Sequence, residues 1–396
     1  MLAQRMNLFG SSATGAARGA AKAAADAGHE IFDLTAGEIW SDIAPNVREG
    51  ALSAINRGIN RYSDAIGLGE LREAIAKKLT LETHQSWSAG EVAVTTGAKQ
   101  ALFNAAMALL NPGDEVIIPA PYWSTFPAQV LIAGATPVFV QTRASGFCPK
   151  IEDIQSAVTP RTRAIVINTP NNPTGAVYGR DALLEIGRFA VEHSLWLIFD
   201  ECYADFTHNG TAHHSLVSLL PELRPRLVIV NAFSKSLALT GWRIGYLAGP
   251  ADIISAARAL QSHTTSNPNI IAQHAVLAHL RSDDQTFQDG LRTRLSIARD
   301  VGLTVLRGLR HVPVPTADGA FYFYLDLAGL LRPAVPEGPR KTASDVSDFL
   351  LARAGVATVA GTAFGDPLGL RISYGVPADM LVVALTRLVE ALNTWK

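Results

Sequence analysis

Six short apolar runs constrain this chain more than any other feature: VAV (92–94), VIIP (116–119), PVFV (137–140), AIVIN (164–168), LWLIF (195–199) and LVIV (227–230). Amphipathic, helix-length segments such as AKQALFNAAMALL, IEDIQSAV and ALLEIGRFAVEH fall between several of them, with NPGD as one stop signal. Strands alternating with helices predict an α/β fold, with a mostly parallel sheet covered on both sides. The near-continuous runs VIIP, AIVIN and LWLIF belong at its buried centre. Asn168 ends one of these runs, Asp200 directly follows LWLIF, and the Ser234–Lys235 pair closes the strand that LVIV begins. In an open α/β sheet, ligands bind outside the carboxyl ends of the strands, so these residues converge on one predicted pocket.

Other segments extend the pattern. GELREAIAKKL from Gly69 reads as a helix start. Beyond about residue 250 the alternation changes: a long helical region from Asp252 to Leu280 is followed by a helical run ending near Leu309. GAFYFYLDL then reads as a strand, SDVSDFLLARAG as a helix, GVATVA and LRISYG as strands, and ADMLVVALTRLVEALNTW as a terminal helix. Three parts are therefore expected: 1–45 as an N-terminal arm joining a smaller α+β domain, 46–285 as a large domain, and 286–396 as the small domain. RPAVPEGPRK, starting at Arg332, reads as a Pro-rich surface loop.

With 48% apolar and 17% charged residues, the 396-residue chain has ample material for a core and a sparsely charged surface. Its 34 basic and 35 acidic residues leave a formal charge of -1, which gives no general attraction to nucleic acid or anionic membranes. Two cysteines, Cys148 and Cys202, make neither a disulfide framework nor a thiolate metal cluster, and buried, reduced roles are expected. His208, His213 and His214 read as solvated loop residues rather than metal ligands. The Ala/Gly-rich start reads as a loose arm or an amphipathic helix. No run of about 18 apolar residues is found. A soluble, cytoplasmic protein is the economical expectation.

The stretch NAFSKSLALTGWRIGY keeps an amine at 235 and a guanidinium at 243 in mostly apolar company. A snorkelling lysine and an ordinary salt bridge would account for them singly. Likewise, Asp200 and Tyr203 fit a helix cap beside a packed ring. Together they fit a different chemistry. A neutral Lys235 amine can form an imine with an aldehyde, Asp200 can keep a heterocyclic nitrogen protonated, and the Tyr203 phenol can hydrogen-bond a neighbouring ring oxygen. That set describes a pyridoxal phosphate site. TTGAKQAL (95–102) supplies a glycine turn entering a helix, which suits a phosphate, while Ser234 and Arg243 add a hydroxyl and a forked cation.

With the motifs RYSDAIGLGELREAI, VTTGAKQALFNA, PAPYW, NTPNNPTGAVY, DECY, FSKSLALTGWRIGY, TSNP, GAFY and LRISY in order, nearly the whole chain resembles one family. These are the fold-type I, pyridoxal-phosphate-dependent aminotransferases of class I/II, and the likeness is to bacterial aspartate aminotransferases with a lysine in the glycine turn. The resemblance implies a mostly parallel seven-stranded central sheet with a smaller α+β domain, and pyridoxal 5'-phosphate as cofactor. It implies Lys235 as cofactor-linked base, Asp200 as ring-nitrogen partner, Tyr203 and Asn172 on the ring oxygen, and Trp123 stacked on the ring. Gly97, Ala98, Ser234 and Arg243 would cradle the phosphate. Tyr62 would reach the phosphate of a neighbouring subunit, making a homodimer. Arg371 would grip the substrate α-carboxylate with help from Asn172 and the Gly37 backbone.

The implied reaction moves an amino group between an L-amino acid and a 2-oxo acid. Aspartate with 2-oxoglutarate is the leading pair, because Lys99 matches a lysine used near the distal carboxylate. Two departures bear on this pairing. Ser262, followed by His263, stands where some relatives have a second arginine, and GEIWSDIAP replaces the family's GEP segment. Trp40 either reshapes specificity, for example toward aromatic amino acids, or covers the pocket from outside. An aromatic, alanine-type or secondary-metabolic aminotransferase, or another enzyme of this cofactor, uses the same apparatus. A non-catalytic regulatory protein is the alternative from a different class.

Overall fold

The computed structural model describes residues 2–395 apart from 9, 11 and 332–340, so most of the Pro-rich RPAVPEGPRK stretch lies outside the described residues. Among the described residues there are twelve strands, in chain order β1 (Phe32–Asp33), β2 (Val92–Thr95), β3 (Glu115–Ala120), β4 (Thr136–Gln141), β5 (Thr162–Asn168), β6 (Trp196–Asp200), β7 (Leu227–Ala232), β8 (Gly245–Ala248), β9 (Tyr322–Asp326), β10 (Val356–Ala357), β11 (Val359–Ala360) and β12 (Gly369–Ser373).

Seven form the central sheet, in the order β2-β8-β7-β6-β5-β3-β4. The pairs β3–β4, β3–β5, β5–β6 and β6–β7 are parallel, whereas β8 runs antiparallel to both β2 and β7. The six apolar runs are the other six strands; β8 escapes them because it opens on Gly245 and is followed at once by Gly249. Its reversed direction follows from the short connection after β7, which leaves no room for a covering crossover helix. Both faces of the sheet are covered. Ile165 and Ile167 of β5 enter one apolar cluster while Ala164 and Val166 enter another, the two-residue alternation of a strand buried on both sides.

A third apolar cluster forms around β9 and β12 and the helices Thr286–Leu306, Ala343–Ala354 and Ala378–Thr394. The expected single strand GVATVA is split. β10 pairs in parallel with β1, and after Thr358 the chain changes sheets so that β11 pairs with β12. The helical region expected from Asp252 to Leu280 consists of two helices, Ala251–Thr264 and Ile270–Ser282. Ser266 has φ +58° and Pro268 lacks an N–H, so the first helix cannot continue; Asn269 then caps the second by accepting from the Ala272 N–H at 3.0 Å.

Three further expectations are corrected. His208 is buried rather than solvated, with Nε2 3.1 Å from the Ala320 carbonyl and 3.1 Å from the Tyr374 hydroxyl. His213 is half-buried, its Nε2 2.9 Å from Glu201. Both cysteines are free but only half-buried, because each sits beside a cavity or loop rather than within a strand core. Of the two readings of the N-terminal segment, the helix is found, over Ala13–Asp26. Among the described residues, no helix is long and apolar enough to cross a membrane.

Candidate active site

Parallel strands of matched register bring their carboxyl ends to one level. Asn168 at the end of β5 is the register partner of Asp200 at the end of β6. Next to them β7 runs directly into the short helix Phe233–Ser236, which carries Ser234 and Lys235. These groups open into one cavity of about 550 Å³.

Asp200 is 2% exposed, and its Oδ1 accepts the Cys202 N–H at 3.0 Å. Burial disfavours its ionised form and pushes the carboxyl up to about 6. Lys235 donates from Nζ to the Gly37 carbonyl. Burial lowers its amine to about 8, which raises the fraction present as the neutral nucleophile. The Tyr203 and Tyr322 hydroxyls are 2.7 Å apart beside them. Gly37 has to lack a side chain here, because a Cβ would come 2.5 Å from the Tyr322 hydroxyl oxygen.

The opposite wall comes from β12. Arg371 is 2% exposed and its guanidinium lies between two rings, 4.7 Å from the Tyr322 centroid and 4.9 Å from that of Phe364. Its Nη1 donates to Asn172 Oδ1 at 2.9 Å and its Nη2 to the Thr35 carbonyl at 2.6 Å. Nε is buried, with no hydrogen-bond partner among the described residues. An unpaired buried donor is costly, and a planar anion entering the cavity would satisfy it.

At the third edge, the helix Ala98–Leu109 starts after Gly97 with no side-chain cap, which leaves its first N–H groups available to an anion. Gly97 has φ +75° and lies so close to Arg243 that a Cβ would sit 2.5 Å from Nη2. Arg243 itself adopts φ +55°, its Nη1 held on the Thr240 carbonyl at 3.0 Å. Ser234, 7% exposed, faces the same end. Lys99 Nζ lies 5.2 Å from the Trp123 ring centroid; burial first, and Arg243 second, lower its amine.

Gly37, Ala98, Lys99, Trp123, Asn172, Asp200, Tyr203, Ser234, Lys235, Arg243 and Arg371 therefore line one cavity, with Gly97 against Arg243 at its edge. Tyr62 lies outside it and is 89% exposed. Trp40 is exposed and outside the lining, while Ile39 packs into the cluster around β9 and β12. Ser262 and His263 are exposed and also outside it. Sequence reasoning missed Tyr322, although GAFY contains it, and it missed the contribution of the N-terminal helix. From that helix Arg18 reaches Glu38 at 3.2 Å, and Glu38 also accepts from Thr240 at 3.1 Å, across the cavity mouth. No sequence periodicity signals that contact.

The donor set suits a ligand with a phosphate at one end, a basic ring nitrogen deep in the pocket and an aldehyde within reach of an amine. A half-exposed indole and a buried clamp for a carboxylate complete it. The family profile for "Aminotransferase class I and II" matches residues 29–388, and the chain belongs to that family. It is a pyridoxal-phosphate-dependent aminotransferase with the fold of the aspartate aminotransferases. It is similar to the aspartate aminotransferase of Geobacillus stearothermophilus, 38% identical over 98% of both chains. It is 39% identical to the aspartate/prephenate aminotransferase of Thermus thermophilus over 99% of both. The solved aspartate aminotransferase of Rhizobium meliloti superposes with a TM-score of 0.93 at 36% identity, covering 100% of each chain.

Proposed function

We propose that this aminotransferase moves the amino group of L-aspartate to 2-oxoglutarate. The observation carrying this reading is the buried, ring-sandwiched Arg371 with its unpartnered Nε, facing the same cavity as a second cation, Lys99. Two cations at separate points suit a dicarboxylate; a neutral or aromatic amino acid would leave one of them without a counter-charge. The names of the relatives support the same choice.

When bound, pyridoxal phosphate supplies a protonated ring that withdraws electrons from the substrate α-carbon. Asp200 holds the proton on that ring nitrogen, since a buried carboxylate favours an adjacent cation. Asn172 and Tyr203 orient the ring oxygen, and Trp123 covers one face. Ser234, Arg243, Gly97 and the start of the helix at Ala98 hold the phosphate. Lys235 would hold the aldehyde through its amine, and the same amine, once free, would take the substrate's α-proton and deliver it to the cofactor's side, a 1,3 transfer. Its lowered basicity near pH 8 suits that double role. Arg371, with Asn172 and the Gly37 backbone, holds the α-carboxylate so that the α-hydrogen faces Lys235.

The protein works as a cytoplasmic homodimer in which the exposed Tyr62 reaches the phosphate of the other subunit. The N-terminal arm is 1–45, the large domain 46–285 and the small domain 286–396. Tyr62→Phe should weaken cofactor retention about tenfold in a dialysis titration, as expected for a lost charge-assisted hydrogen bond. Sedimentation should give twice the 42.2 kDa chain mass.

A half-reaction panel tests the substrate, following the spectral change of the bound cofactor on mixing with single amino acids. Aspartate and glutamate should exceed alanine, phenylalanine and tyrosine by about 100-fold in kcat/KM, the size expected of one hydrogen bond between charged groups. Lys99→Ala should cost aspartate about tenfold and alanine little. Equal losses for the two would refute the assignment of Lys99, and a preference for tyrosine or phenylalanine would refute aspartate.

A further inference from the structure

Arg143 follows β4 and makes no contact with the cavity, yet it ties the wall that carries Trp123 to the sheet that carries Arg371. Its base is fixed first. The preceding Thr142 is 1% exposed, and both its N–H, at 3.0 Å, and its hydroxyl, at 2.8 Å, donate to the carbonyl of Ala120 at the end of β3. From Ala120 the chain runs through Pro121 and Tyr122 to Trp123.

The guanidinium spans two carboxylates, Asp326 at the end of β9 and Asp366 in the loop before β12. Nη2 hydrogen-bonds Asp366 Oδ2, and Nη1 lies 2.6 Å from Asp326 Oδ1 at an angle that makes it an ion pair rather than a hydrogen bond. The Asp366 side chain is only 6% exposed and accepts at 2.8 Å from the hydroxyl of Tyr324, the register partner of Arg371. The Arg143 guanidinium also faces the Phe147 ring at 5.5 Å, and that ring meets Tyr324 edge-on at 5.4 Å.

The segment before Asp366 is gripped at its other end by the same wall. The Tyr122 N–H donates to the Phe364 carbonyl at 3.0 Å. Gly365, at φ +75°, lies so close that a Cβ would meet the Tyr122 ring at 2.6 Å. Phe364 supplies one of the two rings that sandwich the Arg371 guanidinium. Asp366 and Phe364 thus link Arg143 to both the strand and the ring that aim Arg371.

We propose that Arg143 is a positioning residue for substrate carboxylate binding, holding the Arg371 guanidinium at its working distance from the Trp123 wall by clasping Asp326 and Asp366. This rests on the reading of Arg371 as the carboxylate clamp. A guanidinium fork suits the task because it can address two carboxylates from one fixed stem, which a lysine ammonium on a flexible chain does less well. A misplaced fork makes longer, poorly aligned hydrogen bonds to the carboxylate and so binds it less tightly, which lets the clasp act through geometry rather than contact.

The test measures steady-state kinetics of the holoenzyme with aspartate and, from spectral titration of the bound cofactor, the Kd of succinate as a non-reacting dicarboxylate. Arg143→Gln should raise KM for aspartate and Kd for succinate about tenfold, with kcat within about twofold of the parent and the cofactor's visible spectrum unchanged. Arg143→Lys should recover part of the loss, and Asp326→Asn, which keeps the buried Asp366 contact, should shift both constants about threefold in the same direction. Should Arg143→Gln fail to fold, Asp326→Asn decides alone. Unchanged KM and Kd with a kcat reduced in step with the folded fraction would mean a structural residue only, and would overturn the proposal. Arg371→Gln is the control: if succinate still binds that variant normally, the clamp reading itself fails, whereas a large loss there beside none at Arg143 rejects only the clasp.

Discussion

Replacing Lys235 by alanine is expected to lower turnover by at least about 10⁴-fold while the chain remains folded and still takes up cofactor without a covalent bond. The loss is large because one side chain is assigned two jobs, anchoring the aldehyde and moving the α-proton. General acid–base work alone contributes about 10²–10⁴-fold. Folding should be spared. Lys235 sits in a short helix whose apolar neighbours Phe233 and Leu237 do the packing, and the amine's polar partner is the single carbonyl of Gly37. Burial holds that amine at about 8, below its ordinary range, so the fold resists its protonation. At neutral pH the cofactor-free protein bears this cost, and removing the amine relieves it. Borohydride reduction followed by peptide mapping should find the adduct on Lys235 in the parent and nowhere in the variant. Adduct formation on another lysine such as Lys99, or near-normal turnover by Lys235→Ala, would remove the basis of the proposed mechanism.

The parts of the structure that the sequence disclosed were those written in apolar runs. A strand buried on both faces has no polar alternation to hide it, so β3, β5, β6 and β7 stood out, and the polar residues closing them marked the pocket. β8 did not stand out, because Gly245–Ala248 opens on a glycine, is followed at once by Gly249 and runs antiparallel in a sheet that reads as parallel. Sheet switching at Thr358 leaves no trace in the continuous run VATVA, since both halves are apolar for different partners. The buried state of His208 depends on Ala320 and Tyr374, more than a hundred positions away. Within the cavity, Arg371 was legible by resemblance, but its setting between Tyr322 and Phe364 arises from three separate segments meeting in space. The Arg18–Glu38–Thr240 contacts across the mouth are long-range in the same way.

Asp200→Asn should disable the enzyme and yet stabilise its cofactor-free form, a combination that ordinary structural damage would not produce. The carboxyl is 2% exposed, and burial raises its pKa in the folded chain from the ordinary 3.8 to about 6. A raised folded pKa means that the native chain binds more protons than the unfolded chain between these values. Stability therefore falls as pH rises from about 4 to about 6, and the full cost, on the order of 3 kcal/mol, persists above that window. Asparagine keeps the size and can still accept the Cys202 N–H with its carbonyl oxygen, but it has no charge to bury. The cofactor-free variant should gain about 1–2 kcal/mol at pH 7.5, less than the full cost because its new amide also needs partners, and almost nothing below pH 4. Activity should move the other way. An amide that presents N–H to the ring nitrogen disfavours the ring proton that Asp200 is proposed to hold, and loss of such preorganised electrostatic support costs about 10²–10³-fold in rate. Thermal unfolding of both cofactor-free proteins across pH 4 to 8, beside aspartate turnover at pH 7.5, checks both halves. A variant destabilised equally at every pH would show Asp200 to be a packing residue, and retained turnover would show that the ring nitrogen does not depend on it.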